Sequence, residues 1–105
     1  MKNILFSLGK KIKLHKDKDP KISYSASLLQ SGIGKCSKKF GEESTELVIA
    51  AVSQDLDSFN EEAADVLFHL LVLIEAKNAR LDEILTILTQ RQKMSGHIEK
   101  ATRNA

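Results

Sequence analysis

A chain of 105 residues and 11.7 kDa has room for one domain, residues 1–105, with a modest core, and it leaves much of its surface to water or to a second copy. Sixteen Lys and Arg against fourteen Asp and Glu give a net charge of +2, too even to argue for nucleic acid or a membrane surface as partner. A single cysteine, Cys36, excludes an internal disulfide, Met1-Lys2-Asn3 leads into an amphipathic stretch instead of a signal-peptide core, and no run of roughly eighteen apolar residues lacks a charge, so a cytoplasmic protein is expected.

Ile4, Leu5, Leu8 and Ile12 predict a first amphipathic helix over about 3–15. Lys10, Lys11, Lys13, Lys16, Lys18 and Lys21 crowd its end and the Pro20 turn, and they read as a solvated helix end. "SYSASLLQ" predicts a short second helix with a serine cap. The third is expected over about 34–54, with Phe40, Leu47, Val48, Ala51 and Val52 on its inward side and Lys35, Lys39, Glu42, Glu43 and Glu46 on the flank away from it. Gly41 costs that helix ~1 kcal/mol relative to Ala, which suggests close contact with another helix or with a ligand.

Ser58 and Glu61 have the spacing of a capping box for a fourth helix over about 59–78. Almost every position from Ala63 to Ile74 is apolar, so this helix is expected to be buried, with Glu62, Asp65 and His69 on an arc of about 60°. A buried Asp65 needs a partner: Lys35 or Lys39 in a salt bridge, or a cation, while His69 fits a hydrogen-bonded core histidine or a substrate contact. A fifth helix from Asp82 to Arg91 turns Ile84, Leu85 and Leu88 inward. With no alternating strand pattern, the expected fold is all-α, a bundle of about five helices. Ile49 lies opposite the third helix's inward stripe and the fourth helix is apolar nearly all round, so a homodimer is expected.

Like charges three and four apart on a helix cost roughly 0.2–0.5 kcal/mol per pair, so a cluster of acids asks for compensation. Two such pairs, Glu43-x-x-Glu46 and Glu62-x-x-Asp65, are separated by fifteen residues, enough for a turn that folds the helices antiparallel and brings the pairs face to face. Four hard oxygen ligands select Mg²⁺, or Mn²⁺, over Zn²⁺, and Mg²⁺ is commonly held together with substrate phosphates. Lys35, Lys38, Lys39, Arg91, Lys93, Lys100 and Arg103 are cations of the kind that grip phosphate oxygens, although each alone is more often an ordinary solvated residue.

These four acids match the E-x-x-E…E-x-x-D pattern of the all-α, MazG-like nucleoside-triphosphate pyrophosphohydrolases, which the chain resembles. "SYSASLLQSGIGKCSKKFGEESTELVIAA", "EEAADVLFHLLVLI" and "RQKMSGHIEKATR" narrow the resemblance, from Ser23 to Arg103, to the phosphoribosyl-ATP pyrophosphohydrolases. Ser44, Phe68 and His97-Ile98 depart from that pattern without removing an acid. The resemblance implies hydrolysis of phosphoribosyl-ATP to phosphoribosyl-AMP and pyrophosphate in histidine biosynthesis. It implies Glu43, Glu46, Glu62 and Asp65 as Mg²⁺ ligands, Glu42 as orienting group or proton acceptor, and Lys35, Lys38, Lys39, His69, Arg91, Lys100 and Arg103 as substrate contacts. One cysteine and three scattered histidines do not supply the zinc site expected of the following cyclohydrolase step, so a monofunctional enzyme is expected. A house-cleaning nucleoside-triphosphate pyrophosphatase and a non-catalytic helical dimerisation module are the alternative readings.

Overall fold

Apolar residues three and four apart wind the chain into five helices in a computed structural model that describes residues 4–93 and residue 103. They are α1 (Ile4–His15), α2 (Tyr24–Gln30), α3 (Ile33–Ser53), α4 (Leu56–Ala76) and α5 (Leu81–Arg91), with no strand among the described residues. The fold class is therefore all-α.

Local chemistry sets each boundary. Ser23 caps α2, its hydroxyl accepting the Ala26 N–H at 3.2 Å. Between α2 and α3 the backbone reverses through Gly32 at φ 95°, a left-handed conformation that side chains disfavour. The capping box anticipated at Ser58 does not form. Asp55 Oδ1 accepts the Ser58 N–H at 2.8 Å, so α4 begins at Leu56, ahead of the expected start near 59, and that hydrogen bond holds the Asp55 carboxyl below its usual pKa. At the other end Asn78, at φ 61°, takes the left-handed position, and the Asn78 and Ala79 N–H groups bond the Glu75 and Ile74 carbonyls, each at 3.0 Å.

The two 21-residue helices α3 and α4, joined through Gln54 and Asp55, form the antiparallel hairpin that dominates the packing. α1 and α2 cross it at one end, burying Ile12, Leu28, Cys36, Leu71 and Val72 in one cluster. The Cys36 thiol donates to the Leu28 carbonyl at 3.2 Å, and burial pushes its pKa up, which suits an inert core residue.

The opposite end of the hairpin has no such cover among the described residues, and there the expected faces change. α3 turns Cys36, Phe40, Glu43, Leu47 and Ala50 inward, whereas Val48, Ala51 and Val52 face out, Val52 with 83% of its surface exposed. α4 is buried only in its later half, so Ala64, Asp65 and Leu67 are exposed. Among the described residues nothing lies within 4 Å of where a Cβ on Gly41 would stand, so no described helix explains it. α5 buries no residue: of the anticipated inward stripe Ile84 and Leu88 are exposed and Leu85 is half-covered, while Leu81 at the helix start packs against the core cluster.

Candidate functional site

Inside the α3–α4 hairpin an acid cluster replaces the apolar packing. Glu43 falls on the inward stripe of α3, not on the outer flank where the sequence put it, and it is half-buried against Glu62 and Asp65 of α4. One carboxylate oxygen from each of the three lies within 4.8 Å of the others. Three of the four expected acids thus meet, and Glu46, one turn on and exposed, acts electrostatically on Glu43 and Glu62 from outside that group.

The demand for a cation falls on a different residue from the one anticipated. Asp65 is exposed, and it is Glu62 Oε2 that is occluded from solvent with no hydrogen-bond partner among the described residues. Burial, then the charges of Glu46, Asp65 and Glu43, push the Glu62 carboxyl above its usual pKa. Burial, then Glu46, raise Glu43 as well, with Asp65 adding to the effect and His69 opposing it. The one nearby cation among the described ion pairs is Lys39, whose Nζ stands 4.0 Å from Glu43 Oε1, so Lys39 pairs with Glu43 and not with Asp65. An occluded oxygen without a partner, two carboxyls pushed toward protonation and a donor set of oxygen alone fit a hard divalent cation held by Glu43, Glu62 and Asp65, with Glu46 in reach of the group.

His69 braces this cluster from the core side. It is 5% exposed, its Nδ1–H donates to the Asp65 carbonyl at 2.8 Å, and its Nε2 accepts the Tyr24 hydroxyl at 3.2 Å. With both nitrogens occupied it is a hydrogen-bonded core histidine, the first of the two roles its sequence position offered. Phe68 packs edge-on to His69 at 5.2 Å between centroids and stacks on Tyr24 at 5.9 Å. Tyr24 was not singled out from the sequence; the only available signal was that it is the chain's sole tyrosine, placed next to a serine cap.

The other expected contacts are spread more widely. Glu42, Lys35 and Lys38 are exposed on α3. Arg91 is exposed in the last turn of α5, Arg103 is exposed, and Lys100 lies outside the described residues.

A family model described as phosphoribosyl-ATP pyrophosphohydrolase matches residues 5–92. Among curated proteins, the phosphoribosyl-ATP pyrophosphatase of Ruegeria sp. (strain TM1040) is 45% identical over 100 residues, 95% of each chain. That of Dinoroseobacter shibae is 45% identical over 101 residues, 96% of this chain and 99% of the relative. Phosphoribosyl-ATP pyrophosphatase 1 of Rhodopseudomonas palustris is 51% identical over 81 residues, 77% of this chain and 76% of the relative.

Proposed function

The chain belongs to the phosphoribosyl-ATP pyrophosphohydrolase family, and from that membership we propose that it hydrolyses phosphoribosyl-ATP to phosphoribosyl-AMP and pyrophosphate, a step of histidine biosynthesis. The observation that carries the chemistry is the orphaned Glu62 Oε2 among converging carboxylates, an arrangement that is unfavourable alone and favourable around a cation.

Glu43, Glu46, Glu62 and Asp65 hold Mg²⁺, for which Mn²⁺ can substitute. When bound, the cation neutralises triphosphate charge and lowers the pKa of a water it carries. The chain's own residues supply placement. Lys39 steadies Glu43 through their ion pair, and the Asp65 turn of α4 is braced by His69. Glu42, next in sequence to Glu43, serves as orienting group or proton acceptor. Lys35, Lys38, Arg91, Lys100 and Arg103 serve as cations for phosphate oxygens, since a polyphosphate needs charge-assisted donors beyond a single metal ion.

The working form is a homodimer. Large apolar side chains stand exposed along the described helices, more than a small monomer usually leaves to water. They include Val48, Ile49, Val52 and Leu56 along the open end of the hairpin, and Leu67 and Leu70 on α4.

Steady-state assays of the purified protein with phosphoribosyl-ATP, ATP and dUTP test the function. Preferential cleavage of phosphoribosyl-ATP with pyrophosphate as product is expected. Equal turnover of the three substrates would favour a house-cleaning triphosphatase.

A further inference from the structure

The basic run that the sequence reads as a solvated helix end splits in the structure between two surfaces. Lys10 and Lys13 face a groove between α1, α4 and α5. Lys11, His15 and Lys18 instead line a separate open pocket of about 550 Å³ formed by α1, the loop after it, the start of α2 and one residue of α4. That volume lies within the ~300–1,000 Å³ of small-molecule sites.

The α4 residue is Phe68, and with Tyr24 it gives the cavity an aromatic wall, the two rings stacked at an interplanar angle of 16°. The wall adjoins the acid cluster. Phe68 follows Asp65 by three residues, a spacing that sets Cβ atoms about 5–6 Å apart on a helix, and Tyr24 reaches the same turn through His69.

The loop that carries Lys18 is held in place. Gln30 Nε2 donates to the Lys16 and Lys18 carbonyls at 3.0 and 2.9 Å, and the Asp19 carbonyl accepts the Ile22 and Ser23 N–H groups at 3.0 Å. The cavity's one carboxylate, Asp19, is turned into this loop, accepting the Lys21 N–H at 2.9 Å, so the rim presents cations. A flat apolar wall beside a cationic rim matches a ligand with an aromatic ring and a terminal phosphate.

We propose that this cavity is the subsite for the phosphoribosyl-adenine end of the substrate, with the base against Tyr24 and Phe68 and the distal phosphate on Lys11, His15 and Lys18. The proposal rests on the phosphoribosyl-ATP reading above. It assigns substrate choice to the basic segment: the acid cluster serves any triphosphate, whereas only a substrate with a second, remote phosphate engages the rim.

The test compares kcat/KM for phosphoribosyl-ATP with that for ATP. In Lys11→Ala/Lys18→Ala the ratio is expected to fall about tenfold or more, the order of magnitude of lost charge-assisted hydrogen bonds. Lys10→Ala/Lys13→Ala removes the same charge from the same run and is expected to leave the ratio within about twofold, since screening weakens remote charge. A parent that prefers phosphoribosyl-ATP while both double variants keep that preference, or lose it alike, overturns the subsite and leaves the function intact. A parent that does not cleave phosphoribosyl-ATP overturns both.

Discussion

At the level of single residues, the E-x-x-E and E-x-x-D spacings and the length between them put acids of two antiparallel helices face to face, and the meeting of Glu43 with Glu62 and Asp65 was legible in the sequence. Which acid is occluded was not. Burial along α4 depends on where α1 and α2 cross it, and they cover Leu71 and Val72 while leaving Asp65 open and Glu62 Oε2 enclosed by its neighbours. Two outcomes follow. Glu62→Gln is expected to lose turnover by on the order of a hundredfold or more, because an orienting metal contact is removed. The same substitution should raise the melting temperature of the metal-free protein, since an ionised, unpartnered oxygen is replaced by a neutral one; a lowered melting temperature together with normal turnover would place the metal elsewhere. The pH dependence has a definite sign. Glu43 and Glu62 have folded pKa values raised above the unfolded ones, so their contribution to stability is fully present below the unfolded values and is lost as pH rises through the folded ones. The metal-free protein should therefore gain thermal stability from these groups as pH is lowered from neutral through the raised values, and Mg²⁺ should stabilise more at pH 8 than at pH 5. Calorimetry showing a Mg²⁺ effect independent of pH would contradict this.

At the level of helices, five segments and their order follow from apolar periodicity, whereas the ends and faces depend on competition between neighbours. Asp55 and Ser58 both offer a capping oxygen; the carboxylate takes the Ser58 N–H, and α4 gains Leu56, Asp57 and Ser58 as its first residues. Asp55→Ala should lower the melting temperature with Asp55→Asn recovering most of the loss, read by circular dichroism, because an amide oxygen still caps. The carboxyl's lowered pKa means that its contribution is present above the unfolded value and fades as pH falls through the folded one. The expectation that Gly41 answers to a helix contact finds no such helix among the described residues, where nothing stands within 4 Å of a Cβ placed there. Gly41→Ala should stabilise the fold by about 1 kcal/mol, the usual gain at an exposed helix interior. A loss of stability would mean that a second copy occupies the space, and a loss of activity alone that substrate does.

At the level of the whole molecule, the sequence identifies apolar residues without telling which are covered by the chain itself. Val48, Val52 and Leu56 lie beyond the reach of α1 and α2, and the radius of gyration, 15.8 Å, exceeds the ~13 Å of a compact globule of this length. Sedimentation at micromolar concentration should find a dimer, and Val52→Glu should shift it toward monomer; a monomeric parent would remove the dimer from the account. The central claim is that the acid cluster is a divalent-metal site for one phosphoanhydride cleavage on phosphoribosyl-ATP. Phosphorus NMR of the reaction mixture tests it most directly, run with Mg²⁺ and with excess chelator. The account predicts equal amounts of phosphoribosyl-AMP and pyrophosphate with Mg²⁺ and no reaction under chelator. Release of orthophosphate, or undiminished turnover under chelator, would contradict it.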